Sequence, residues 1–132
     1  EFERLGHAQV YHLDLHSMPS KAEKVHRDAG CIRPDVVVSD FHGASAEFRF
    51  TDAVIDAYRK QGFKVGYNWP YLGGWITRKY GAPQKGRHAV QVELNRALYM
   101  NENTRQKDAE KFPAIRKRLG AAVEQIYNTL GG

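Results

Sequence analysis

Two stretches carry side chains that could do chemistry together. One is "YHLDLHSMPS" at residues 11–20; the other is "AVQVELNR" at residues 89–96. On a helix, His12 and His16 would share a face and could grip one metal ion, as in the H-E-x-x-H pattern. Here the first His is followed by Leu13 rather than Glu, and Pro19 lies close behind. Tyr11, Leu13 and Leu15 also alternate with His12, Asp14 and His16, which is the period of a strand. On a strand the two histidine Cα atoms are roughly 13 Å apart, too far to share one ion easily, whereas Asp14 and His16 are roughly 6.6 Å apart on one face. The workable metal reading is therefore a single ligand, His16, at the C-terminal end of a strand, where open α/β sheets place their sites. Asp14 would orient its ring. The plainer reading is a structural histidine satisfied beside its turn.

In the second stretch Val90, Val92 and Leu94 point one way, and Gln91, Glu93 and Asn95 the other. Glu93 is then either one residue of a half-exposed polar face or a carboxylate beside a metal that takes a proton from water. Between residues 68 and 86 runs a long loop rich in Gly, Pro and aromatics, of a length that in compact domains is usually functional. Its Gly73-Gly74 pair permits close backbone approach to a ligand. Arg78 has the planar fork that suits a substrate carboxylate, although Arg78-Lys79 also reads as a solvated pair. Asn68 at the head of the loop and His88 just beyond it complete the candidate substrate-binding set.

The elements that must position these groups follow from pattern. "DVVVSD" (35–40) is a continuous β-branched run, expected as a strand covered on both faces. "TDAVIDAYRKQG" (51–62) reads as a helix capped by Thr51 and stopped at Gly62. "FKVGYN" (63–68) and "HAVQVELNR" (88–96) read as further strands. Ile115, Leu119, Ala122, Val123, Ile126 and Leu130 line one face of a C-terminal helix, with Pro113 in its first turn or kinking it. Strands alternating with helices predict an α/β domain.

Composition narrows the class further. At 132 residues and 42% hydrophobic, the chain can bury one core. No apolar run approaches the ~18 residues of a membrane span. The lone Cys31 cannot form an internal disulfide, which fits a reducing, cytoplasmic compartment. The formal charge of +5 invites a nucleic-acid reading. Yet the basic residues are scattered, and the aromatics lack the basic interleaving of a nucleic-acid platform. "EFERLG" (1–6) reads as the last turns of a helix stopped by Gly6, so the chain is expected to be a piece of a longer domain.

Taken in order, "LDLHSMPS" (13–20), "RPDVVVSDFHGAS" (33–45), "NWPYLGGWITRKYG" (68–81) and "GRHAVQVELNRALYM" (86–100) resemble the N-formylglutamate amidohydrolases, from about Gly6 to Glu102. The resemblance implies a zinc-carboxypeptidase-like fold, a mixed sheet flanked by helices. It also implies hydrolysis of N-formyl-L-glutamate to formate and glutamate, a reaction of histidine degradation. The distantly similar aspartoacylases carry an Asp-Leu-His at a strand end with the His on zinc. By that similarity His16 is a ligand of Zn²⁺ (or another divalent transition metal), and Glu93 matches the carboxylate that acts on the water at the metal. Ser17 and the Pro19 turn would set the exit of the strand.

One departure matters. Related metalloenzymes take two more ligands from an upstream His-x-x-Glu-type segment, but the residues three past each His here are Val10, Leu15, Pro19, Ala29, Ser45 and Gln91. None is acidic. The resemblance thus implies the C-terminal half of an enzyme, inactive alone, whose partners are the missing N-terminal half and a small acidic N-acyl amino acid. Two other readings remain: a non-catalytic scaffold of the same fold with a basic surface, and an amidohydrolase for another N-acyl amino acid.

Overall fold

The structure is a computed structural model that describes residues 9–22, 24–26 and 28–131. The helical reading of residues 1–6 lies outside the described residues. In chain order the elements are β1 (Val10–Met18), β2 (Val36–Ser39), α1 (Phe48–Lys60), β3 (Val65–Tyr67), α2 (Trp75–Tyr80), β4 (Arg87–Asn95), β5 (Met100–Asn101), β6 (Gln106–Lys107) and α3 (Lys111–Thr129). Strands β1 to β4 form one sheet in the order β1-β4-β2-β3. β1 runs parallel to β4, β2 antiparallel to β4, and β3 parallel to β2, so the sheet is mixed, as expected.

Alternation gives this sheet two unlike faces. Val36 and Val38 of β2 and Val90 and Val92 of β4 point to one side, where they pack with Phe50, Val54, Ala57 and Tyr58 of α1 and with Ile115, Ala122 and Ile126 of α3. That is the hydrophobic core, and burial of such side chains is worth about 1.5–3 kcal/mol each. The opposite face carries His12, Asp14 and His16 of β1 beside Ala89, Gln91 and Glu93 of β4, with Val37 and Ser39 of β2 next in line. The stretch 68–86 lies across it.

Several local expectations need correction. Thr51 does not cap α1: the helix begins at Phe48 with Glu47 as its N-cap. Thr51 sits inside the helix, where its hydroxyl donates to Asp40 Oδ2 at 2.7 Å. The stretch 68–86 is not structureless, since "WITRKY" between two glycines winds into α2 and Pro83–Lys85 forms a 3₁₀ turn. The polar face of β4 is buried rather than half exposed, because this stretch covers it. Met18 pairs with Asn95, so β1 continues through Ser17 to Met18 before the Pro19 turn. Pro113, by contrast, falls in the first turn of α3, as expected.

Asp40, 1% exposed, directly follows β2 and ties three elements together. Its carboxylate accepts from Thr51 Oγ1 (2.7 Å), Tyr67 Oη (2.9 Å), Asn68 Nδ2 (2.9 Å) and the Gly43 amide (3.1 Å). A buried charge is tolerable only when so fully partnered. Thr51→Val, close in shape, removes one donor and should cost about 1–3 kcal/mol in chemical denaturation. Tyr67→Phe should cost less, because Tyr67 is half exposed and water can replace its hydroxyl.

Candidate active site

The β1–β4 register brings the two chemically loaded stretches together. His16 is the direct partner of Glu93, and Asp14 of Gln91. Directly paired residues share a face, so these four side chains form one polar cluster near the C-terminal ends of two parallel strands. His16 Nε2 lies 3.0 Å from Asp14 Oδ1. A carboxylate oxygen accepts, so Nε2 carries the hydrogen and the Nδ1 lone pair is left for another partner. The His16 side chain is 46% exposed, which leaves that nitrogen within reach of a ligand, whereas Asp14 beneath it is 10% exposed. Asp14 Oδ2 is buried and has no hydrogen-bond partner among the described residues.

Glu93 is 7% exposed, and Gln91 Nε2 donates to its Oε1 at 2.9 Å. Burial raises the Glu93 carboxyl above the ordinary glutamate value. His16 opposes that shift, Asp14 adds to it, and the Arg33 and Arg96 charges oppose it. A carboxylate lifted in this way is a stronger proton acceptor once ionised.

The other candidates from the sequence fall elsewhere. Asn68 is buried with φ 52°, and its side chain is engaged with Asp40 through both Nδ2 and Oδ1. His88 lies on the core face, stacked on Tyr11 at 5.1 Å between ring centroids. Its Nδ1 accepts from the Glu47 amide at 3.1 Å and its Nε2 faces Gln9 Oε1 at 2.6 Å. Burial lowers its pKa, and Glu47 opposes this. Arg78 is exposed on α2, its guanidinium 4.8 Å above the Phe41 ring.

Sequence reasoning passed over Arg33 and Tyr71. Arg33, 4% exposed, makes a two-pronged pair with Asp28 (Nε to Oδ2 2.8 Å, Nη2 to Oδ1 3.0 Å). Its Nη1 donates to Tyr71 Oη at 2.8 Å and to the Pro19 carbonyl at 3.3 Å. One guanidinium thus joins the turn after β1 to the stretch that roofs the site, and its charge reaches Glu93. Ser39 Oγ fastens the same roof by donating to the Tyr71 carbonyl at 2.8 Å.

Could these residues hold a metal? His16, with a free ring nitrogen and a carboxylate behind the other, has the chemistry of one donor and its orienting partner. Among the described residues no group of three or more His, Cys, Asp or Glu is placed to hold a metal ion.

A sequence model of the N-formylglutamate amidohydrolase family matches residues 1–100. The chain is 39% identical over 107 residues to an N-formylglutamate deformylase of Pseudomonas putida, a match covering 76% of this chain and 36% of that protein. It is 45% identical over 42 residues to an N-formylglutamate deformylase of Pseudomonas aeruginosa, covering 32% and 16% respectively. The fold is similar to the solved structure of an N-formylglutamate amidohydrolase from Ralstonia eutropha JMP134, with a TM-score of 0.81 and 30% identity. That match covers 97% of this chain and 45% of the other. The chain therefore spans about a third to under half the length of the proteins it matches over most of its own.

The Asp14–His16 geometry has a direct spectroscopic consequence. At a pH where the ring is neutral, long-range ¹⁵N–¹H spectra should show His16 as the Nε2–H tautomer, and Asp14→Ala should return it to a mixture. A ring already in the Nδ1–H form would contradict the arrangement.

Proposed function

The chain belongs to the N-formylglutamate amidohydrolase family, and from that premise we propose that it is the C-terminal part of a metal-dependent enzyme hydrolysing N-formyl-L-glutamate to formate and L-glutamate. The observation that carries this reading is the direct pairing of His16 with Glu93 on adjacent parallel strands, on the roofed face of the sheet.

In this mechanism His16 would be one ligand of a Zn²⁺ ion, through the ring nitrogen that Asp14 leaves free. When bound, the ion supplies a Lewis acid that polarises the formyl carbonyl and makes water more acidic. Glu93 accepts a proton from the attacking water as its oxygen bonds to the formyl carbon. As the C–N bond breaks, the same carboxyl gives that proton to the departing amine nitrogen. The roof formed by residues 68–81 limits water access to Glu93, which keeps the carboxylate basic. Arg78, exposed beside Phe41, is the proposed partner for a substrate carboxylate.

The remaining ligands come, in this proposal, from the rest of a longer polypeptide, without which the chain turns over little or no substrate. Two features support a seat for that segment. β1 is an edge strand among the described residues, and beside it lies a cavity of about 360 Å³ lined by Leu15, His16, Tyr58, Val92, Leu119 and Val123. Leu15 is 61% exposed there, an apolar side chain at an open edge. A cytoplasmic location, read from the lone cysteine, belongs to the same proposal; Cys31 is free and exposed.

In the full-length enzyme, Glu93→Gln should lower kcat by on the order of 10²–10⁴-fold with zinc retained, since it removes the proton acceptor but keeps the shape. Elemental analysis should find zinc lost in His16→Ala, and Asp14→Asn should weaken zinc binding by roughly 10–100-fold. Full zinc occupancy in His16→Ala, or near-normal kcat in Glu93→Gln, would defeat the mechanism. Arg78→Ala should raise KM for the acidic substrate; unchanged kinetics would return Arg78 to the solvated surface.

A further inference from the structure

Gln91 and Glu93 lie two residues apart on the same face of β4, both almost fully buried. The carboxylate can only accept, so the amide nitrogen of Gln91 must be the atom that meets Glu93 Oε1 at 2.9 Å. The amide oxygen then faces the roof, and what stands over it there is Gly74. A Cβ built on residue 74 would lie 2.6 Å from Gln91 Oε1, closer than such contacts go. The backbone at this point is fixed from two sides: Thr77 Oγ1 accepts from the Gly74 amide and donates to the Gly74 carbonyl, each at 2.9 Å. Thr77 itself is fully buried. Gly73 beside it is equally bare of necessity: it has φ +125°, and a Cβ there would lie 2.7 Å from the Phe41 ring. Arg33, the buried cation whose charge reaches Glu93, has its nitrogens on Asp28, Tyr71 and Pro19.

We propose that Gln91 is the positioning residue that clamps Glu93, and that the missing side chain at Gly74 leaves the space its amide oxygen needs to do so. Donation to Oε1 commits one carboxylate oxygen and sets the plane of the group, so that the second oxygen is the one presented for proton transfer. Roof and base are thereby fitted to each other: Thr77 fixes the Gly74 backbone, and the room left above it admits the Gln91 amide that donates to Glu93. The catalytic consequence rests on the function proposed above; the contact itself does not.

The two are tested separately. In the 132-residue chain, labelled with ¹⁵N-glutamine, the Gln91 side-chain amide should give a resonance pair protected from solvent exchange. Glu93→Ala and Gly74→Ala should each abolish that protection. An unprotected Gln91 amide in the unaltered chain, or protection that survives Gly74→Ala, overturns the clamp whether or not any enzyme activity is found. In the full-length enzyme, Gln91→Ala should lower kcat on the order of 10–100-fold, the scale of a lost hydrogen bond to a charged group, with KM within about twofold. Gly74→Ala should lower kcat similarly, yet cost nothing more in the Gln91→Ala background, where its obstacle is gone. Equal cost in both backgrounds, or an unchanged kcat in Gln91→Ala, overturns the positioning role. If Gly74→Ala alone fails to fold, folding of the double variant upholds the clamp and its failure refutes it.

Discussion

The parallel pairing of β1 with β4 is the constraint on which the rest depends. His16 stands opposite Glu93 only because Val10 pairs with Arg87 and the ladder continues without a bulge to Met18 and Asn95. Side chains alternate with period two, so a slip of one residue would send Asp14 and His16 into the core and bring Leu13 and Leu15 to the polar face. The apolar residues of the same strands hold the register. Val90 and Val92 must meet α1 and α3, and that requirement delivers Gln91 and Glu93 to the other side. Core packing and site geometry are two consequences of one alternation.

Burying the polar face costs free energy that must be offset locally. Glu93 receives Gln91 Nε2, Asp14 faces His16 Nε2, and Arg33 is matched by Asp28. Paired in this way, the groups avoid the several kcal/mol that an unpartnered buried charge costs. Two features are left open: Asp14 Oδ2 lacks a partner, and β1 has no second neighbour among the described residues. Both lie on the same strand. The proposed seat for the rest of the enzyme is beside them.

The strands and their faces were legible because period-two patterns are local. "DVVVSD" and "AVQVELNR" announce a doubly covered strand and a two-faced strand, and both are so. The same alternation already put His88 with Val90 and Val92 on the core side, against its proposed substrate role. Thr51 reads as a cap because a hydroxyl just before an apolar helical run looks alike as a cap and as an internal donor; only the position of Asp40 decides. Arg33 and Tyr71 were invisible for a deeper reason. Their link spans distant parts of the chain, and no local period encodes it. The alternation puts Gln91 on one face with Glu93, but the donation from its Nε2 to Glu93 Oε1 depends on side-chain conformation, which no period encodes.

The central claim is that this chain carries part of a site, with Glu93 as its base, that a second segment completes. Formate release from N-formyl-L-glutamate in the presence of zinc tests it most directly. The rate would be measured for the 132-residue chain alone, and after co-refolding with the remainder of the full-length polypeptide. The account predicts negligible release alone, restoration on co-refolding, and loss of that restoration in Glu93→Gln. Full turnover by the 132-residue chain alone, or restoration indifferent to Glu93→Gln, would contradict it.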